Sequence, residues 1–287
     1  MKNTRNQPVN IPVSKLRPFE GHPFKVKDDE EMNTLIVSVQ TVGILSPLIV
    51  RPIENTEEYE VISGHRRLHA AVKAGTTEVP ALIYALDRDS AAIAVVDSNL
   101  HREHILPSEK ALAYKLKMEA LSHQGKRTDL TSCQVGTKLR TDEQIAENAD
   151  DSARQIQRYI RLTYLIPELL EFMDENKMAL SVGVELSFLD EQHQYDVLEQ
   201  CEINDCTPSY SQSVRMHRAA KDGILDRTMI EEVMNEKKPN QRETVKIQID
   251  TLRKYISSTN PDQLKDFVLK ACEHYQKYLK KQKEYER

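Results

Sequence analysis

A chain of 287 residues is long enough for two or three small domains, each with its own core. Charged residues make up 30% and apolar residues 39%, with eight glycines and no tryptophan, which argues against a sandwich or barrel built on many tight turns. The formal net charge of −5 excludes a basic coat, so any nucleic-acid contact has to come from a local basic face.

In chain order, residues 1–10 read as a polar tail, expected to be mobile. Ile11–Pro18 reads as a short edge strand punctuated by prolines. From Asp28 to Val42, Met32, Leu35, Ile36, Val39 and Val42 recur at helical spacing, and Gly43 closes that helix. Pro47–Arg51 and Tyr59–Ile62 read as strands. The second of these runs through Ser63 and Gly64 into a helix that starts His65-Arg66-Arg67 and ends at Gly75. A glycine turn feeding a helix N-terminus leaves backbone N–H groups unpaired. Two arginines there oppose the helix dipole unless an anion is present. Phosphate at such a turn would be held by backbone donors, dipole and charge-assisted bonds together. A third strand, Val79–Tyr84, follows, and the alternation predicts a small α/β domain over residues 11–106.

After Asp87 the pattern turns helical. Asp89–Asn99 is an alanine-rich helix, Pro107 can open the next, which runs to about His123, and Gly125–Arg140 reads as a loop. Residues 107–235 are expected to form an all-helical domain, broken near Ser181–Gly183 and Thr207–Pro208. Residues 236–244 are the best linker candidate. Val245, Ile247 and Ile249 alternate as in a strand. Asn260-Pro261 starts a final helix striped by Leu264, Phe267, Val268, Ala271, Tyr275 and Tyr278. Residues 245–287 therefore read as a dimerisation or packing element. The expected fold class is α+β and predominantly helical: a small α/β domain, an all-α middle domain and a short C-terminal strand–helix element.

Within the helical part, Thr141–Leu162 has the pattern of a helix-turn-helix. Thr141 can cap a first helix with Gln144 as its partner, and Ala146 is small where two helices would cross. Asp150 stands where glycine is usual, and aspartate tolerates a left-handed φ. Ser152 can cap a second helix burying Ile156, Tyr159 or Ile160 and exposing Arg154, Gln155, Gln157, Arg158 and Arg161, with no acidic residue from Ala153 to Leu162. Arginine and glutamine read guanine and adenine edges in the major groove, and arginine also holds phosphate. Ser152, Arg154, Gln155, Gln157, Arg158 and Arg161 are the DNA-binding candidates.

The remaining features carry less chemistry. Cys133, Cys201, Cys206 and Cys272 are scattered without the paired spacing of zinc sites, so free thiols in a reducing compartment are expected. His65, His69, His101 and His104 read better as surface or packing histidines than as a metal cluster. Arg5 is expected to be a solvated tail residue. No apolar run approaches the roughly 20 residues that span a bilayer, and no apolar signal core opens the chain, so a cytoplasmic, membrane-free protein is expected.

Four of these stretches, taken in order, resemble the ParB/RepB family of plasmid and chromosome partition proteins. Gly43-Ile-Leu-Ser-Pro-Leu-Ile-Val-Arg51 is similar to the family's first box. Gly64-His-Arg-Arg-Leu-His-Ala70 is similar to the second, usually Gly-Glu-Arg-Arg-x-x-Ala, and Ser98-Asn-Leu-His-Arg102 to the third, usually Glu-Asn-x-x-Arg. Thr141–Leu162 falls where the family has its helix-turn-helix, and Lys177–Leu189 is similar to the segment behind it. The resemblance covers about residues 8–200.

The resemblance implies a homodimer that binds a palindromic site on double-stranded DNA and uses CTP with Mg2+ to close a clamp, reopened by slow CTP hydrolysis. It also implies a ParA-type ATPase partner. Carried onto this chain, Gly64, His65, Arg66 and Arg67 make the triphosphate cradle, Asn99 and Arg102 complete the phosphate and metal site, and Gly43 and Ser46 approach the nucleoside. The chain departs from the family at His65 and Ser98, each standing for a carboxylate that a hard cation would use, and at Ser46, which stands for a common glutamine. Asp97 and Glu103 are the neighbouring acids. Nucleotide binding is therefore expected more firmly than hydrolysis. The alternatives are a transcription regulator of the same architecture without a nucleotide cycle, and a nuclease, for which the turn lacks clustered carboxylates.

Overall fold

The structure, a computed structural model, describes residues 7–102, 104–128, 140–147, 149–236 and 261–285. Arg5, Glu103, Cys133, the expected linker beyond Glu236, the expected strand at 245–250 and the Asn260 cap lie outside the described residues. Residues up to Glu236 form one compact unit and the remainder a second.

The N-terminal region holds a five-stranded sheet in the order β1-β5-β3-β4-β2, where β1 is Val9–Pro12, β2 Leu16–Pro18, β3 Leu48–Pro52, β4 Tyr59–Ser63 and β5 Glu78–Ile83. The sheet is mixed: β3 runs parallel to β5 and antiparallel to β4, β2 is parallel to β4, and β1 is antiparallel to β5. The expected single edge strand at Ile11–Pro18 is two strands, one on each edge, joined by the 3-10 turn Val13–Lys15. Four strand spacings in a flat sheet would separate them by about 19 Å. A three-residue 3-10 turn advances only about 6 Å, so the sheet has to curl. The expected tail is also shorter, because β1 begins at Val9, opposite Ala81 of β5.

Helix α1 (Glu30–Val42) is capped by Asp29, whose Oδ1 accepts from the Met32 N–H at 2.8 Å, and ends at Gly43 with φ 79°. Helix α2 (His65–Lys73) packs beside it. Their apolar faces meet the sheet through Met32, Val39, Leu48, Val50, Val61, Leu68 and Ala71. Helix α3 (Arg88–Leu100) lies against β4 and against α4 (Pro107–Thr128). Helix α4 continues past the expected end at His123, carrying Gly125 in its last turns.

Helix α4 is the spine of the larger unit and touches α3, α5 (Thr141–Ala146), α6 (Ala153–Arg161) and α7 (Pro167–Asp174). Its Lys117 is buried and bonds Asp97 of α3 at 2.5 Å. The rest of the unit is α8 (Leu180–Leu186), α9 (Glu191–Ile203), α10 (Tyr210–Lys221) and α11 (Arg227–Asn235), which share a core built on Leu169, Met173, Leu186, Val197, Met216 and Ile230. The break expected near Ser181–Gly183 falls just before it, at 175–179, between α7 and α8. Gly183 lies inside α8 because the helix packs on Met173 there, and a Cβ at Gly183 would come within 2.4 Å of the Met173 sulfur. The connection at Thr207–Pro208 falls between α9 and α10 as expected. The second unit contains α12 (Pro261–Tyr285), on which Phe267 and Val268 are half-buried, whereas Tyr275 and Tyr278 are exposed and stack on each other at 6.3 Å. No helix among the described residues is long and apolar enough to cross a membrane.

One ion pair sits inside the sheet. Arg51 Nε donates to Glu60 Oε2 at 2.6 Å, with the two side chains 12% and 6% exposed, and Glu60 Oε1 also accepts from the Glu20 N–H at 3.0 Å. Removing one member of a buried pair leaves the other uncompensated, at about 3 kcal/mol or more. Glu60→Ala is expected to lower the unfolding free energy measured in urea by that amount, and Arg51→Met with Glu60→Leu to recover most of the loss. An alanine variant as stable as the parent would show the pair to be solvated.

Candidate functional site: a cation-lined cleft and a basic helix

The chain leaves β4 at Ser63 and turns at Gly64 (φ 106°), whose carbonyl accepts the first helical bond of α2 from the Leu68 N–H at 2.9 Å. Any Cβ at this position would come to 3.1 Å from Leu48 and from the Arg67 guanidinium, so close packing as well as φ requires glycine. The two arginines that follow point to different places. Arg67 Nη1 donates back to the carbonyls of Ser46 and Pro47, the latter at 2.9 Å, and burial lowers its pKa. It thereby ties the Gly43–Pro47 segment to the turn. Arg66 reaches towards the start of α1, 3.1 Å from Glu31 and 3.7 Å from Asp29.

Arg66 lines an open cleft of about 750 Å³ together with Lys25, Lys27, Arg102, His104, Asp29, Glu109 and Asp174. The carboxylates are engaged. Asp29 caps α1. Glu109 accepts from the backbone N–H groups of Lys25 (2.8 Å) and Leu106 (3.2 Å), and Asp174 accepts from the Ser108 N–H (3.0 Å) and hydroxyl (2.5 Å). The Lys25 and Lys27 ammonium groups make no ion pair with the described residues. Arg102 lies 5.5 Å from the Phe24 ring centre, and desolvation lowers its pKa against the opposing pull of Glu109. Cations are thus left over where carboxylates are spent, an arrangement suited to a polyanion.

The segment 19–27 that delivers the lysines has no regular structure, and side chains satisfy its backbone. The Phe19 N–H donates to His65 Nε2 at 3.2 Å, Glu20 N–H to Glu60, and Lys25 N–H to Glu109. The His65 ring lies against that of His22, centres 3.7 Å apart and planes tilted by 38°, and His22 Nδ1 donates to the Phe24 carbonyl at 2.7 Å. Burial, with help from His22 and Arg102, pushes the His65 pKa down to about 3, and burial also lowers that of His22.

Of the eight residues expected around a nucleotide, Arg66 and Arg102 therefore line the cleft. Gly43, Ser46, Gly64, His65 and Arg67 do not line it: Gly43 ends α1, Arg67 bonds Ser46 beside the Gly64 turn, and His65 faces Phe19 and His22. Asn99 is buried, its Nδ2 donating to the Val95 carbonyl at 2.7 Å and to the Ser98 hydroxyl at 3.1 Å. Asp97 is committed to Lys117. Lys25, Lys27, His104 and Glu109 were not anticipated. The alternation Lys25-Val26-Lys27, which puts both lysines on one side of an extended segment, was the available signal. His69 bonds Asp28 at 2.7 Å, and no group of three or more His, Cys, Asp or Glu among the described residues converges to hold a metal ion.

The second candidate surface is α6. Ser152 caps it by accepting from the Gln155 N–H at 3.3 Å, Ile156 is fully buried, and Tyr159 and Ile160 are half-buried on the same core. The preceding helix starts one residue earlier than expected. Arg140 is its N-cap, and Glu143, not Gln144, reaches back to the Arg140 N–H at 3.0 Å. Asp150 is not left-handed: outside glycine, the described residues with positive φ are Asn55, Asn176 and Asp205. Six residues separate α5 from α6. Neighbouring Asp151 pins that connection to α4 by accepting from Tyr114 Oη (2.7 Å) and Lys110 Nζ (2.9 Å). Burial and this bond both raise the Tyr114 pKa. Arg154 is exposed and makes no hydrogen bond or ion pair with the described residues. Arg158 bonds Gln155 within the helix at 3.1 Å, Gln157 bonds Asp142 of α5 at 3.1 Å, and Arg161 is tied to Ser187.

The histidine pair sets a pH dependence. Both folded pKa values lie below the ordinary 6.5, so the unfolded chain binds more protons as pH falls through that value. Stability is expected to be fully present above about pH 6.5 and to fall steadily towards pH 4, with His65→Asn showing a shallower fall in urea unfolding. Equal slopes in the two proteins would refute the assignment.

Residues 1–100 match the family model of the ParB N-terminal domain. The nucleoid occlusion protein of Geobacillus thermodenitrificans is 39% identical over 119 residues, 41% of this chain and 42% of that protein. The chromosome-partitioning protein Spo0J of Thermus thermophilus is 31% identical over 172 residues, 60% of this chain and 56% of that protein. The matched stretches thus span about half the length of these curated relatives. A crystal structure of the C-terminally truncated chromosome-partitioning protein ParB from Caulobacter crescentus, complexed to the centromeric parS site, is 21% identical, with 79% of this chain and 98% of that chain covered and a TM-score of 0.43. Residues 1–100 thus match the ParB N-terminal domain, and over 41–60% of its length the chain is similar to nucleoid occlusion and chromosome-partitioning proteins.

Proposed function

We propose that this protein is a DNA partition adaptor that binds a specific duplex site through α6 and binds CTP in the cleft beside Gly64. The observation that carries the nucleotide reading is the charge state of the cleft: Lys25, Lys27, Arg66 and Arg102 face it, while Asp29, Glu109 and Asp174 are consumed by backbone and hydroxyl donors. A triphosphate supplies the anionic oxygens that such a set lacks. The family resemblance selects CTP among nucleotides, a dimer clamped on a palindromic site as the working form, and a ParA-type ATPase as the partner. The DNA reading rests on a capped helix with an apolar buried side and no acidic residue on its basic face.

A magnesium ion would have to enter with the nucleotide. Asp29 and Glu31 are paired with Arg66, and the Ser98 hydroxyl donates to the Val95 carbonyl. The chain's own donor set suits phosphate better than a hard cation. The inward turn of Ser98 and Asn99 favours, as a second reading, a DNA-binding regulator of the same architecture without nucleotide turnover.

Radiolabelled CTP binding and turnover, with ATP and GTP as controls and with DNA from the protein's own locus, separates the two. CTP-selective binding is expected. Arg66→Ala and Arg102→Ala are each expected to weaken it about tenfold or more, the worth of a charge-assisted bond, while site-specific DNA binding stays within twofold of the parent. Specific DNA binding without affinity for any nucleotide would establish the regulator instead.

A further inference from the structure

Arg154, Arg158 and Arg161 stand at i, i+4 and i+7 on α6, one stripe of a helix, and by spacing alone all three qualify as readers of DNA. The structure separates Arg161 from the others. Its Nε donates to Ser187 Oγ at 3.1 Å and its Nη2 to the Ser187 carbonyl at 2.7 Å. Its guanidinium lies 4.0 Å from the centre of the Phe188 ring and 4.5 Å from that of Tyr164. Phe188 in turn stacks on His217 of α10, with nearly parallel rings 4.2 Å apart, and His217 Nδ1 is bonded to Glu185 Oε2 at 2.6 Å. Ser187 is buried at the end of α8, its hydroxyl donating to the Val184 carbonyl at 2.7 Å, which leaves a lone pair for Arg161. The last residue of α6 is thus fastened through a planar fork and two aromatic rings to α8 and, through Phe188, to α10.

We propose that Arg161 is a positioning residue that fixes the roll of α6 on α8, and that Arg154, Gln155 and Arg158 are the residues left to touch DNA. The inference rests on the reading of α6 as the recognition helix. The geometry explains why the position needs arginine. Lysine has no planar fork with which to bond the hydroxyl and carbonyl of one serine together, and no flat face to lay on Phe188. Base readout depends on helix placement, so loss of the clamp should degrade discrimination between sites, whereas loss of a phosphate contact should degrade all binding alike.

The test uses the full chain and the duplex it enriches from a randomised pool, with fluorescence anisotropy over a range of salt and a scrambled duplex as reference. Thermal unfolding of each variant is followed alongside. Arg161→Ala is expected to lower the ratio of specific to nonspecific affinity about tenfold while leaving the slope of log K against log salt unchanged. Ser187→Ala should move the ratio in the same direction, Arg161→Lys should not restore it, and the double variant should be no worse than Arg161→Ala alone. A slope flattened by about 0.9 in Arg161→Ala, one phosphate's worth, with Ser187→Ala silent, would overturn the proposal by making Arg161 a backbone contact. Should Arg161→Ala not fold, Ser187→Ala and Arg161→Lys are read on the same two measures. If Arg154→Ala and Arg158→Ala also leave ratio and slope untouched, α6 is not the reading helix, and the proposal falls together with that reading.

Discussion

Three residues, Val13–Lys15, carry the chain from one edge of a five-stranded sheet to the other. That short tether forces the sheet to curl, and much of the cleft's geometry follows. With the edges drawn together, the segment leaving β2 at Pro18 passes close to the end of β4. Its backbone finds partners in His65, Glu60 and Glu109, from the turn, the sheet and helix α4 respectively. Lys25 and Lys27 reach the cleft because side chains hold an otherwise irregular segment in place.

The electrostatics of the cleft depend on a division of labour among its charges. A chain with a net charge of −5 has no general attraction for phosphate. Locally the lining holds Lys25, Lys27, Arg66 and Arg102 against Asp29, Glu109 and Asp174, and each of these carboxylates closes a helix start or anchors a loop, its oxygens occupied by N–H and O–H donors. The cations have few such duties. Arg66 has its partners at the exposed start of α1, where ion pairs are worth little against solvent. Preorganised donors of this kind would suit an anion without a glycine-rich loop.

The sequence showed local order better than it showed side-chain direction. The helix limits at Asp29–Gly43 and Ser152–Arg161 were legible because caps, spacing and breakers agree there, and the glycine turn was legible because Gly64 has no alternative. The split of Ile11–Pro18 into two edges was not, since strand partners are set by distant residues. Small residues also misled as markers of where a break falls: Gly125 lies within α4, and the break near Ser181–Gly183 comes at 175–179. Gly183 marks a close helix contact, and nothing near it in sequence points to Met173. At the cleft, Arg66 and Arg67 are adjacent and identical in type, yet one faces open space and the other bonds two carbonyls. A helical step of about 100° per residue separates them, and only the packing decides which one is turned inward.

Glu109 has a further consequence. One carboxylate serves the amide of Lys25 and the amide of Leu106, joining a loop to a helix start across 84 residues of sequence. Neither amide can be released to water without disturbing the acceptor of the other. In hydrogen exchange the two protons would share a single opening event, so the floor of the cleft and the first turn of α4 behave as one cooperative unit. A substitution in that loop would then be felt first as fraying of a helix far from it in the chain.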